Sequence, residues 1–122
     1  MVLTYGETPV VRYHLKGNDW KGYRADAYLA VLLPDGRLFY RNRRGGLSPK
    51  QTPMLSKMTI GDASGDIGFV PIPDGVPPGL YTIYGVLSYV GKNPLKSRYQ
   101  ISNLEDTQFQ LVAGTPTPTP AP

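Results

Sequence analysis

The stretch RNRRGG, residues 41–46, brings three guanidinium groups together beside two glycines. Arg37, Phe39 and Tyr40 precede it, so cations and flat rings share a dozen positions. Nucleic-acid binders of this composition use repeated Arg-Gly units or basic grooves lined with stacking rings. One unit is not an array, and nucleic acid is not expected as a partner. Arg41, Arg43 and Arg44 suit carboxylates or phosphates, which guanidinium groups meet in bidentate fashion. An acidic polysaccharide or cell-surface polymer fits them, as does the plainer role of a soluble hairpin tip. A second chemistry lies in the aromatics. Trp20, the only tryptophan, sits in the polar segment GNDWKGY (17–23) with Tyr23 three residues on, and Tyr28 and Tyr40 follow on candidate strands. Flat side chains beside polar neighbours are what sugar rings stack upon, so these four join the arginines as candidate ligand-binding residues. A tryptophan that only lids the core is the competing reading.

The carboxylates give less. Asp26, Asp35, Glu105 and Asp106 are the raw material for the acid pair of a glycosidase. Yet Asp35 belongs to a PDG turn and Asp26 to a strand face, and no catalytic residue is assigned. Asp62 and Asp66 in GDASGD hint at calcium, which takes six to eight oxygens; two carboxylates fall short, and a turn explains them. With no cysteine and one histidine, His14, disulfides, thiolate chemistry and a histidine-based metal site or triad drop out. Neither enzyme, metal nor cofactor is expected.

The elements that must hold these residues are short. At 122 residues the chain has the length of one domain. Its 14 glycines and 13 prolines are scattered between apolar runs, which is the punctuation of an all-β protein. The net charge of +4 favours anionic partners without naming one. No apolar run approaches the ~20 residues of a membrane span, so no membrane insertion is expected. The start MVLTYGETP lacks the basic and apolar regions of a leader peptide; a secreted protein would carry its leader upstream.

Strand periods run along the chain. The first strand is expected in TPVVRYHLK (8–16). RADAYLAVLL (24–33) sets Ala25, Ala27, Leu29, Val31 and Leu33 on a dry face, with Asp26, Tyr28, Ala30 and Leu32 on a mixed one. PDG (34–36) reverses the chain, and RLFYRN (37–42) returns as the partner, with RNRRGG at its far end. Further strands are expected over 54–60, 66–73, 80–90 and the pair 98–102 and 107–112, with a bend near Asn103–Asp106. Pro71 and Pro73 confine the 66–73 segment to a sheet edge. Tyr81, after the corner PPG (77–79), is placed to fold its hydroxyl back as a tyrosine corner. Seven to eight short strands with frequent turns predict an antiparallel immunoglobulin or fibronectin-III-like sandwich over 1–113, with a closed barrel of the OB type as the rival. The Thr-Pro alternation TPTPTPAP removes ladder donors and fixes φ, so 114–122 is expected to be an extended linker.

ADAY followed by LPDG, then PPGLYTIYGVL, GKNPL and ISNLEDTQFQL, resembles immunoglobulin-like modules of bacterial secreted multidomain proteins over about residues 25–112. The resemblance implies a secreted or cell-surface location, neighbouring domains in a parent chain and an accessory role without a transferable catalytic set. Two functions remain open at this point: carbohydrate binding, or pure spacing and protein interaction.

Overall fold

The structure, a computed structural model, describes residues 1–101 and 105–112. The expected linker at 114–122, and the Asn103-Leu104 part of the expected bend, lie outside the described residues. Nine strands are described: β1 (Val2–Thr4), β2 (Val10–Leu15), β3 (Arg24–Leu32), β4 (Leu38–Arg41), β5 (Leu47–Ser48), β6 (Leu55–Thr59), β7 (Ala63–Gly68), β8 (Gly79–Ser88) and β9 (Glu105–Val112). Two 3₁₀ turns, Asn18–Trp20 and Ser97–Tyr99, supply the helical content among the described residues. No helix among them is long and apolar enough to cross a membrane.

The chain is therefore all-β, arranged as one seven-stranded sheet and one two-stranded sheet. In the large sheet the order is β1-β9-β8-β3-β4-β5, and β6 pairs with β3 on a stretch that β4 leaves free. β2 and β7 form the small sheet. All these pairs are antiparallel except β1 with β9, which run parallel from Val2↔Gln110 to Thr4↔Val112. The large sheet is thus mixed rather than purely antiparallel.

β3 is central and nearly every residue from Ala25 to Val31 is buried. Its dry face enters two clusters. One gathers Leu29, Val31 and Leu33 with Tyr81, Ile83, Phe109 and Leu111, and Val11 and Ile67 of the small sheet pack against it. The other joins Ala25 and Ala27 to Ile60 and Leu87, with Trp20, Leu15, Met58 and Ile101 at its margin. Because the small sheet has only two strands, a hollow of about 1120 Å³ remains between the sheets, walled by Leu15, Met54, Met58, Ile60 and Ile67 among others.

The turn chemistry read from sequence holds at PDG. The Leu33 amide donates to the Arg37 carbonyl at 2.9 Å, and Gly36 takes φ +90°, which glycine adopts without a Cβ penalty. The Tyr81 hydroxyl donates to the Pro77 carbonyl at 2.6 Å while its ring stacks on Phe109, centroids 5.0 Å apart. Tyr5 anchors the same connection by donating to the Val76 carbonyl at 2.7 Å. The corner is held by two phenols.

Three expectations shift. β1 precedes the expected first strand. β7 begins at Ala63, so four of the six residues of GDASGD are strand rather than turn, and the chain leaves the ladder before Pro71. Within that ladder Gly65 faces Tyr13, and a Cβ there would lie 3.2 Å from the Tyr13 ring. The outer face of β3, expected to be mixed, is buried as well. Tyr28, Ala30 and Tyr40 form a third cluster on it, with Leu38 and Val86 against them.

Candidate functional site

The seven candidate residues fall into three places. Arg41, Arg43 and Arg44 belong to the β4–β5 hairpin, whose turn is organised by Asn42. The Asn42 amide donates to the Gly46 carbonyl at 2.9 Å, and its side-chain oxygen accepts from the amides of Arg44 and Gly46. Arg43 and Arg44 are exposed, as a hairpin tip requires. Arg41 is not a tip residue. Its Nε donates to the Gly68 carbonyl at 2.8 Å and its guanidinium lies 5.8 Å from the Phe69 ring centroid. It is a strut between the β4 edge and the end of β7, half-buried and engaged.

Tyr28 and Tyr40 offer no ring face to solvent. They are 8% and 4% exposed, meet edge to face at 6.3 Å, and the Tyr40 hydroxyl accepts from Gln51 Nε2 at 3.1 Å. Burial, followed by the nearby Asp26 and Tyr40, pushes the Tyr28 phenol above its ordinary range. These two candidates are corrected to core: ring pairing across β3 and β4 satisfies them within the fold.

Trp20 and Tyr23 remain together and acquire a partner. The 3₁₀ turn at Asn18–Trp20 and the glycine turn after it set Tyr23 edge to face with Trp20, 5.4 Å between centroids. Tyr89, just past the end of β8, also meets the indole edge to face, at 5.9 Å and 70°. Trp20 is half-buried, its body resting against the Ala25–Ala27–Ile60–Leu87 cluster. The tyrosines are not buried: Tyr23 is 59% and Tyr89 41% exposed. The result is an indole packed on the core with two exposed tyrosines edge to face against it.

The segment after Tyr89 is braced from several directions. The Tyr89 amide donates to the Tyr99 carbonyl at 2.9 Å, closing 89–99 into a loop. Ser88 Oγ donates to the Lys92 carbonyl at 3.1 Å, Gln100 Nε2 to the Pro94 carbonyl at 2.7 Å, and Asn93 Oδ1 accepts from the Leu95 amide at 2.9 Å. Pro94 and Ser88 are fully buried. Asp26 completes the bracing.

Asp26 is the residue whose role the sequence concealed. Only 4% exposed, it sits where one residue of β3 opposes two of β6, a bulge marked by the register step between Ala25↔Met58 and Ala27↔Leu55. One carboxylate oxygen accepts from the Lys57 amide at 2.9 Å and from Ser56 Oγ at 3.5 Å; the other accepts from the Gly91 amide at 3.0 Å. Lys57 holds φ +54°, a left-handed backbone that costs a non-glycine residue free energy. A buried charge needs partners of this kind. Its sequence signal was an aspartate alone in an apolar strand.

Two further carboxylates, Asp62 and Asp35, are also occupied. Asp62 accepts from the Gly17 amide at 2.9 Å and pairs with Lys21 at 3.1 Å; the first bond leads in holding its carboxyl below the usual range. Asp35 is lowered chiefly by the Arg37 amide, with the Arg37 Nε at 2.8 Å adding to it. Among the described residues no group of three or more acidic or histidine side chains is placed to hold a metal ion. No family model, curated protein or solved structure matches this chain.

Proposed function

We propose that the chain is a non-catalytic, immunoglobulin-like accessory module of a secreted or cell-surface multidomain protein, and that it binds carbohydrate through Trp20, Tyr23 and Tyr89. The observation that carries this reading is the pair of exposed tyrosines that both meet a core-anchored indole. Rigid aromatic side chains lose little conformational entropy on binding, and a loop ordered beforehand lowers the cost further. Two facing β-sheets and the corner bond of Tyr81 support the immunoglobulin-like assignment. The Thr-Pro sequence at 114–122 supports tethering to neighbouring domains. Asp26, Asp35 and Asp62 are engaged in backbone and ion-pair contacts, which supports an accessory rather than a catalytic role.

A spacer or protein-interaction role is the second reading, favoured by the way Trp20 packs on the Ala27–Leu87 cluster as a lid would. The two part company at the tyrosines. On a glycan array and in affinity electrophoresis, a binder retains at least one polysaccharide, and Tyr23→Ala with Tyr89→Ala weakens it by roughly tenfold or more, as loss of a hot spot does. Trp20 is left intact because its removal opens the core. A folded parent protein that retains no polysaccharide leaves the spacer reading standing.

A further inference from the structure

The loop that carries Tyr89 also carries charge of one sign. Between Tyr89 and Ile101 stand Lys92, Lys96 and Arg98, and no aspartate or glutamate. All three cations are exposed. Lys92 Nζ lies 5.5 Å and Arg98 Cζ 4.8 Å from the centroid of the Tyr99 ring. That places both cations on one phenol, whose carbonyl accepts from the Tyr89 amide. Among the described residues the ion pairs are Lys21–Asp62 and Arg37–Asp35, and none of the carboxylates described there pairs with Lys92 or Arg98. A ring attracts such cations only weakly at exposed sites and leaves their N–H donors available to an incoming anion.

Resting on the carbohydrate reading above, we infer that this end of the molecule selects acidic glycans, specifically chains of uronic acids. The pyranose faces stack on the exposed Tyr23 and Tyr89 rings at the Trp20 cluster, and the C6 carboxylates pair with Lys92 and Arg98. A guanidinium and an ammonium gathered at one ring suit the carboxylates of a uronic-acid chain, which accept from either. The basic residues of the site are therefore those of the 89–101 loop, not the arginines of 41–46. Asp19, exposed on the neighbouring 3₁₀ turn, opposes phosphate-dense polymers more than a single carboxylate per ring.

The test compares polygalacturonate with its fully methyl-esterified form, which keeps the ring and removes the charge. In affinity electrophoresis at 150 mM salt, the parent protein should bind polygalacturonate at least about tenfold more tightly than the ester, the scale of one charge-assisted pair. Lys92→Gln with Arg98→Gln should erase that preference. Arg43→Ser with Arg44→Ser, which removes two charges elsewhere, should leave it. Equal binding of the two polymers overturns the inference while the glycan reading survives. Equal loss in both double variants also overturns it, since the attraction would then be unspecific. Binding to neither polymer, nor to any neutral polysaccharide on an array, overturns inference and glycan reading together.

Discussion

Replacing Asp26 with asparagine should destabilise the protein far more than its place in a surface-like pattern suggests. The carboxylate accepts from two backbone amides, at 2.9 Å from Lys57 and 3.0 Å from Gly91, at a site only 4% exposed. Hydrogen bonds to a charged acceptor contribute about 1.5–3 kcal/mol each. Asparagine keeps one acceptor and turns an NH₂ group toward the other amide, so one bond is lost and two donors are opposed. The expected cost is about 2–3 kcal/mol. At roughly 3–4 °C per kcal/mol for a chain of this size, the melting temperature should fall by about 6–12 °C. Asp26→Ala, which loses both bonds, should cost about 3–5 kcal/mol. Urea titration by circular dichroism measures the loss, and the amide resonance of Gly91 reports whether the loop has come free. Lys57→Gly serves as the control. It keeps the donated N–H and relieves the left-handed backbone, so it should be neutral or gain up to ~1 kcal/mol. An Asp26→Asn variant within ~0.5 kcal/mol of the parent, or one that loses stability with Gly91 unmoved, would refute the clamp.

Tyr81→Phe removes the 2.6 Å bond to the Pro77 carbonyl and should cost about 1 kcal/mol, the net worth of one hydrogen bond; a neutral result in thermal melts would reduce Tyr81 to packing. Burial, ahead of the smaller effects of Tyr5 and Asp35, pushes its phenol up to about 12. The unfolded phenol ionises near 10, so the folded state binds more protons above that pH; stability is full below about pH 10 and falls by roughly 2–3 kcal/mol as pH approaches 12. Urea titrations across that window should show a shallower fall in Tyr81→Phe, and parallel curves would contradict the assignment. Arg41→Ser should cost about 1–2 kcal/mol through the lost Gly68 bond and Phe69 contact, whereas Arg43→Ser with Arg44→Ser should stay within ~0.5 kcal/mol; equal effects in melting experiments would mean that Arg41 is no strut.

The parts of the fold legible in the sequence are those fixed by neighbours in the chain. Alternation in 24–33 and the PDG turn suffice for the β3–β4 hairpin, and PPG before Tyr81 suffices for the corner. What was hidden depends on distant partners. β1 has three residues and exists because β9 offers an edge 108 positions away at Val2↔Gln110. The start of β7 depends on its pairing with β2, from Leu15↔Ala63 onward. Tyr28 and Tyr40 resemble exposed strand tyrosines until each is found against the other, with Gln51 bonded to the Tyr40 hydroxyl. The site divided in the same way. Trp20 and Tyr23 are close in sequence and were paired from it, whereas Tyr89 reaches them only through the β3–β8 pairing. Arg41, Arg43 and Arg44 read as one cluster by type, yet the strand path directs Arg41 toward Gly68 and leaves the other two at the tip.

The parallel pairing of β1 with β9 has a mechanical consequence. Tension applied between Met1 and Val112 pulls these two strands along their own axes in opposite senses. The bonds between them, including Gln110 amide to Met1 carbonyl at 2.9 Å, lie across the pull and are sheared as a group. An antiparallel arrangement of the first and last strands would present them to the same load one at a time, like a zipper opened from its end. Three paired residues make a short seam, but rupture must break the seam at once before β9 can be peeled from β8. A chain built this way resists stretching at its ends more than its thermal stability alone would indicate.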